Sequence, residues 1–417
     1  MSPNQRVVRR VGAVTQVSLA LCFVGGGVLS AGCDRDTLIG IDVPPFGTGG
    51  TYGPGSGGTF GPGSGGTIGG GSGGTIGGGS GGSPGSTACA GGTGGATGAV
   101  SAGPCSVIGT FPGILNGCGR TTTVAFSPDG TLLATSTQDA SQPNLHVWRV
   151  CDGTLLYEVA QANNQAGSYG VTFSPNGKLL ALGGVAPVVD GAGTDAAAVF
   201  DAATGRLITS LPTKSGTYAS AVTFSHDGTR LVTAGFSSFI DVWRVADWSE
   251  ALAIPNDGSV YDVDFAPDDS TFVVSGGSIN RILRSSDGAQ LVEMTGLFAE
   301  QDRATYSPNG QLILSTAGAG QLQILDAHAN TLQVMTFTSS TAFDPIGHAA
   351  WIDDSHFVAD DWNGAVQEWE KDPAQPQGPF SLKQSWQMPS QALGIAVAPD
   401  RLTFVVAGDF GFQFLTP

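Results

Sequence analysis

Residues Val222 to Trp243 read VTFSHDGTRLVTAGFSSFIDVW: apolar strand, tight turn, apolar strand, short loop, apolar strand. The same phrase returns through the C-terminal three quarters of the chain. Its turn cores are FSPDG (126–130), FSPNG (173–177), FSHDG (224–228), FAPDD (265–269), YSPNG (306–310), WIDDS (351–355) and VAPDR (397–401). Seven copies spaced 41 to 51 residues apart have the period at which one unit is a four-stranded sheet and the units are arranged radially as blades. A unit of that size cannot bury its apolar faces alone, so the copies specify one folded body. The expected fold class is all-β, a seven-bladed β-propeller.

Within a unit, Ser-Pro-Asp-Gly and Ser-Pro-Asn-Gly place Pro where a φ of about −65° is wanted, then a side chain that bonds its own backbone, then Gly where φ turns positive. Strand a runs into this turn and strand b leaves it, at 132–136, 179–182, 231–234, 272–275, 312–316, 356–360 and 403–407. Strand c follows at 145–149, 197–200, 240–244, 322–325, 366–369 and 411–415, and strand d at positions such as 206–211. The three inner strands are near-continuous apolar runs, as expected when neighbouring sheets cover both faces. FSPDGTLLATS (126–136) with LHVWRV (145–150) and DGTLLYEV (152–159) resembles a WD40 repeat, and the likeness extends from roughly Thr121 to the end. It is a degenerate match. The Trp-Asp pair that names the family is Trp148-Arg149, Phe200-Asp201, Trp243-Arg244, Leu325-Asp326 and Trp369-Glu370 here, and Gly347-His348 stands too close to Trp351 to be the family's Gly-His. The resemblance implies a ring that presents binding surfaces. It implies no reaction, since propellers host scaffolds and enzymes alike.

Only 12% of the 417 residues are charged while 41% are hydrophobic, and glycine reaches 65, a balance suited to short strands and Gly-rich turns and not to helices. The formal net charge is −17, and −20 once a leader carrying Arg6, Arg9 and Arg10 is removed. Without a basic stripe the chain is no nucleic-acid binder, and its acidity reads as solubility.

Arg6, Arg9 and Arg10 precede an apolar core, 11–29, that ends in Leu29-Ser30-Ala31-Gly32-Cys33. This resembles a bacterial lipoprotein signal, in which residues 1–32 are removed and Cys33 is lipidated as the mature N-terminus. The other reading is an uncleaved anchor, since about 17 to 25 apolar residues span a bilayer, but Gly12, Gln16 and Gly25 to Gly27 dilute the run. Both place the remainder in the cell envelope outside the cytoplasm, periplasmic or at the outer-membrane surface. Residues 33–104 are the expected disordered tether. Four Gly/Ser/Thr octads from Thr51 to Gly82 carry one apolar residue each, Tyr52, Phe60, Ile68 and Ile76, too few to offset the entropy of ordering so much glycine. A coil of roughly 55 such residues holds the folded domain, 105–417, on the order of 40 Å from its anchor. Cys89, Cys105, Cys118 and Cys151 permit two disulfides in three connectivities, and no CxxC spacing points to zinc.

The five histidines occupy unlike positions of their units: His146 in strand c, His226 in an a-to-b turn, His328 in a c-to-d turn, His348 at the start of strand a and His356 in strand b. A metal held between blades needs like positions. Asp268-Asp269 and Asp353-Asp354 sit in a-to-b turns, where Asp is turn chemistry, and Asp360-Asp361 is placed in a b-to-c loop with Trp362 and Asn363. No catalytic residue, metal or cofactor is assigned. The expected function is a non-catalytic binding platform in the cell envelope for an unknown protein or envelope component. The alternative is an extracytoplasmic propeller enzyme. Val199-Phe-Asp-Ala-Ala-Thr-Gly205 resembles the DxxTG of quinoprotein dehydrogenases, without their docking Trp after it, and a lactonase-like hydrolase needs channel carboxylates or histidines.

Tyr169, Tyr218, Phe236, Tyr261, Trp362 and Phe410 all fall where strand a begins or between strands b and c, which share one end of a propeller. Rigid aromatics with polar tips are the usual energetic centres of interfaces, so that end is the expected partner face. The last unit ends after its strand c at 411–415, leaving an edge without strand d. The apolar run Ser106 to Phe111 is expected to supply that strand and close the ring.

Overall fold

A computed structural model of the chain describes residues 120–137, 145–159, 170–184, 195–212, 219–236, 238–276, 280–294, 303–317, 320–337 and 346–417. These residues form strands and no helix. Blade one is β1 (Thr121–Phe126), β2 (Leu132–Thr137), β3 (Leu145–Arg149) and β4 (Leu155–Val159); blade two is β5 (Gly170–Phe173), β6 (Leu179–Gly183), β7 (Asp195–Asp201) and β8 (Leu207–Pro212). Blade three is β9 (Ala219–Phe224), β10 (Arg230–Gly235), β11 (Phe239–Arg244) and β12 (Glu250–Pro255); blade four is β13 (Asp262–Phe265), β14 (Thr271–Ser275), β15 (Arg281–Arg284) and β16 (Gln290–Glu293). Blade five is β17 (Arg303–Tyr306), β18 (Leu312–Ala317), β19 (Gln321–Asp326) and β20 (Thr331–Thr336); blade six is β21 (Ile346–Asp353), β22 (His356–Asp361), β23 (Ala365–Lys371) and β24 (Phe380–Gln387). Blade seven has β25 (Ala392–Val397), β26 (Phe404–Gly408) and β27 (Gly411–Leu415). Each blade pairs antiparallel in chain order. The first strands touch one another in a circuit, β1, β5, β9, β13, β17, β21, β25 and back to β1, which makes the molecule a seven-bladed propeller.

The turns follow from their residues. In blade one the Ser127 hydroxyl donates to Asp129 at 2.6 Å and accepts the Leu132 N–H at 2.9 Å, the Asp129 carboxylate also takes the Thr131 N–H at 3.1 Å, and Gly130 has φ 70°. Blades two, three and five repeat the geometry with Gly177, Gly228 and Gly310 at φ 69° to 72°. Blades four and seven hold Asp269 and Arg401 in the left-handed conformation instead, and blade six turns tightly enough that Asp353 pairs directly with His356. The two acidic pairs divide their work alike. Asp268 and Asp353 bond within their own turn, to Ser270 N at 3.0 Å and Ser355 N at 2.7 Å. Asp269 and Asp354 reach the preceding blade's turn, accepting from Asp227 N at 2.8 Å and Asn309 N at 2.9 Å.

Strands b and c are buried on both faces, as in β2, β10 and β22. Strand a departs from the expected uniform burial and alternates in β5, β13 and β17, because one of its faces borders the central channel. Blades also lock through their outer strands. The Tyr157 hydroxyl of β4 donates to Ala202 O of blade two at 2.6 Å, and its ring lies where a Cβ on Gly205 would be 2.5 Å away; Ile254 of β12 sits in the same way against Gly288 of blade four. The DxxTG phrase is thus a turn, with Asp201 accepting from Thr204, whose glycine receives a neighbouring tyrosine. Of the signature tryptophans, Trp148 and Trp243 donate Nε1–H to Thr135 and Thr233 at 3.1 and 2.9 Å, whereas the buried Trp369 Nε1 has no partner.

Blade seven meets blade one through Trp148 edge-on to Phe412 at 5.4 Å, Phe126 to Phe414 at 6.1 Å, and an ion pair of Arg120 with Asp409 at 3.4 Å. The run 106–111, Cys89, Cys105, Cys118, the leader and the tether lie outside the described residues. Cys151 is half-buried between β3 and β4.

Candidate partner face and channel mouth

The end of the ring where strand a begins and strand b stops is built from its blades in register. Three residues before the aromatic or apolar residue that opens each turn core, strand a carries Thr123, Gly170, Ala221, Asp262, Arg303, His348 and Gly394. Small residues fill this layer of the channel in blades one, two, three and seven. Titratable side chains fill it in blades four, five and six. Two residues further in, the next layer is Ala125, Thr172, Thr223, Asp264, Thr305, Ala350 and Ala396, all half-buried.

The charged arc is tied together. Arg303 Nη1 donates to Tyr261 O at 3.3 Å, and its own N–H is held by Thr316 Oγ1 at 3.0 Å. The Asp264 carboxylate accepts Thr305 Oγ1 at 2.9 Å and Tyr306 N at 2.7 Å, joining strands β13 and β17. In blade six the register of β21 slips between Ile346 and Ala349, and the Asp360 carboxylate takes the His348 N–H at 2.7 Å. Gly347 makes room for this, since a Cβ there would stand 2.2 Å from Asp360 Oδ1. Asp360 is fully buried, and its Oδ2 and the nearby His348 Nδ1 have no hydrogen-bond partner.

Loss of solvent dominates the acid–base behaviour. Burial pushes Asp360 up to about 8, opposed by the His348 N–H and the Arg303 charge, and pushes Asp264 up to about 6. Burial also raises Asp262, against the pull of Arg303, and burial with the Arg303 charge holds His348 well below its ordinary value. Arg303 itself is lowered by burial, against the pull of Asp262 and then Asp360. At neutral pH the arc therefore holds the Arg303 guanidinium within reach of Asp262 and Asp360, with Asp264 mostly ionised, His348 neutral and Asp360 mostly protonated.

Of the aromatics expected on this face, Phe236 and Tyr261 meet edge to face at 5.5 Å, with Phe236 39% exposed. Trp362 is half-buried in the turn after β22. Phe410 is corrected: it is buried and belongs to the apolar cluster that joins blades six and seven, with Met388 and Ala392 among its members, instead of facing a partner. Tyr169 and Tyr218 lie outside the described residues. Asp360-Asp361 is a second correction, for both residues end strand β22, buried, and the loop begins at Trp362. The basic residues here give no local signal in the sequence. Arg303 lies at the channel, and Arg281, beginning β15, donates to Asn256 Oδ1 at 3.2 Å and Asp257 Oδ1 at 3.0 Å at the same end of blade four as Tyr261. Superposing the seven turn cores and reading back three residues would have found Asp262, Arg303 and His348 as one layer. His146, by contrast, is wholly buried in β3, where burial holds it down at about 4.

A family model described as WD40, WD domain, G-beta repeat, matches residues 107–142. No curated protein matches the chain.

Proposed function

We propose that this seven-bladed WD40-repeat propeller is a non-catalytic binding platform exported to the cell envelope and held there by a lipid on Cys33. WD40 propellers serve in general as surfaces for protein interaction, which supports an unidentified protein partner. The observation that carries the contact face is the edge-to-face Phe236–Tyr261 pair, with Phe236 exposed, Tyr261 O accepting from Arg303 and Arg281 at the same end of blade four. Aromatic rings and guanidinium groups set in a polar rim are the composition that concentrates binding energy in interfaces. Trp362, half-buried in the b-to-c turn of blade six, lies at the same end of the ring. The basic start, apolar core and small residues before Cys33 support export and lipidation, and export would put the cysteines in oxidising surroundings, where Cys151 pairs with one of Cys89, Cys105 and Cys118.

Two measurements test this. Cells grown with a labelled fatty acid should label the wild-type protein, and Cys33→Ser should lose the label and the membrane association; an unlabelled wild type overturns the anchor. Affinity purification from envelope extracts should recover partners with the wild type that are lost from Phe236→Ala/Tyr261→Ala with its melting temperature unchanged. Equal recovery by both overturns the face.

A further inference from the structure

The outer strands of the blades are exposed sheet edges, and five of the six described carry a feature that blocks pairing with another chain. Glu158 stands in β4, Pro212 ends β8, Glu250 and Pro255 bracket β12, Glu293 ends β16 and Lys383 lies in β24. Charge and proline on an edge are the usual protection against edge-to-edge association. β20 has neither. Its sequence is TLQVMT, uncharged throughout, with Leu332 59% and Val334 52% exposed.

The free edge of β20 can be read from its ladder. Phe337 N–H donates to Gly320 O at 2.7 Å, and β20 pairs Met335 with Leu322 and Gln333 with Ile324. Antiparallel hydrogen bonding alternates along a strand, so Gln333, Met335 and Phe337 turn their peptide groups towards β19 while Val334 and Thr336 turn theirs outward. On the other face Gln333 is occupied, its amide bonding Phe380 N and O at 2.8 Å. Leu332, Val334 and Thr336 remain as an accessible row beside an accessible backbone.

We propose that β20 is a homodimer edge, pairing antiparallel with β20 of a second copy of this chain. Val334 faces its own copy on the two-fold axis and Leu332 faces Thr336, so two four-stranded blades join into one eight-stranded sheet. Neutrality favours a second copy over a foreign partner. In a two-fold contact the same patch supplies both sides, residue i meeting j and j meeting i, and in a chain of net charge −17 most other surfaces would bring acid against acid. A foreign strand would be selected better by an edge carrying the opposite charge. This surface is separate from the aromatic face and independent of it.

Sedimentation velocity of the full-length protein across micromolar concentrations is the test. The wild type should sediment as a concentration-dependent dimer, while Val334→Lys, which sets two ammonium groups on the axis, should be monomeric with unchanged melting temperature. Val334→Pro removes only an outward N–H and leaves the β19 ladder intact, so it too should be monomeric and folded. Leu156→Lys on β4 should dimerise like the wild type. A wild type that stays monomeric, or a dimer that survives both Val334 variants, overturns the proposal.

Discussion

Asp360 is a carboxyl group that the fold keeps away from water with one oxygen unpaired. In the folded protein it holds its proton up to about 8, against 3.8 ordinarily. Between those values the folded state binds more protons than the unfolded chain, so stability falls as pH rises. His348 and His146 act in the opposite direction, but only below the ordinary histidine value of 6.5. From pH 6.5 to 8 Asp360 should therefore contribute a loss approaching about 1.4 kcal/mol per pH unit, on the order of 2 kcal/mol in all, with Asp262, raised by the same burial, acting in the same direction. Asp360→Asn keeps the acceptor for the His348 N–H and should remove that part of the slope. Urea unfolding at both pH values reads it, and a variant with the wild-type slope contradicts the assignment. At this scale the sequence was only partly legible. DDWNG looks like a loop because Asp, Asn and Gly favour turns, and Asp361 does take the N–H groups of Asn363 at 3.0 Å and Ala365 at 2.8 Å. What hid Asp360 is the slip in β21, a non-local event that leaves one N–H for a buried carboxylate to collect.

The elements were legible because each hairpin carries its own turn chemistry. β3 and β27 have the expected bounds, and the other b and c strands for which bounds were expected differ from them by one or two residues at one or both ends. The contacts between blades were not, since nothing local in DAATG says that Tyr157, 48 positions before Gly205, will occupy the space its missing side chain leaves. Gly205→Ala combines a φ of 68° with a collision against that ring, and should cost about 2 kcal/mol. Part of this should return in Tyr157→Ala/Gly205→Ala, because the collision is gone. Additive losses in chemical denaturation would show that the ring is not the obstacle. The edge of β27 concerns residues further upstream. The run 106–111, part of which falls within the matched 107–142, is the strand we propose for it. A protein beginning at Gly119 should melt lower and aggregate more readily than one beginning at Gly103, and equal melting would exclude the pairing.

Across the whole molecule, repeat spacing decides the architecture because each blade needs its neighbours to bury its faces. The end of the ring that we propose as the partner face was legible in part. Aromatics at the b-to-c loops and strand-a starts pointed to one end of the ring, but the same pattern could not separate Phe236, which is exposed, from Phe410, which fills a gap between blades six and seven. The guanidinium groups behind the aromatics were missed because arginine in a strand reads as solvated edge until the channel is built. A platform should engage its partner through that end and leave the opposite end bare. A photocrosslinking residue placed at Phe236, and separately at the exposed His328 in a c-to-d turn of the opposite end, tests this in intact cells. A discrete adduct from position 236 and none from position 328 is the predicted result; adducts from 328 alone, or from neither position, would contradict it.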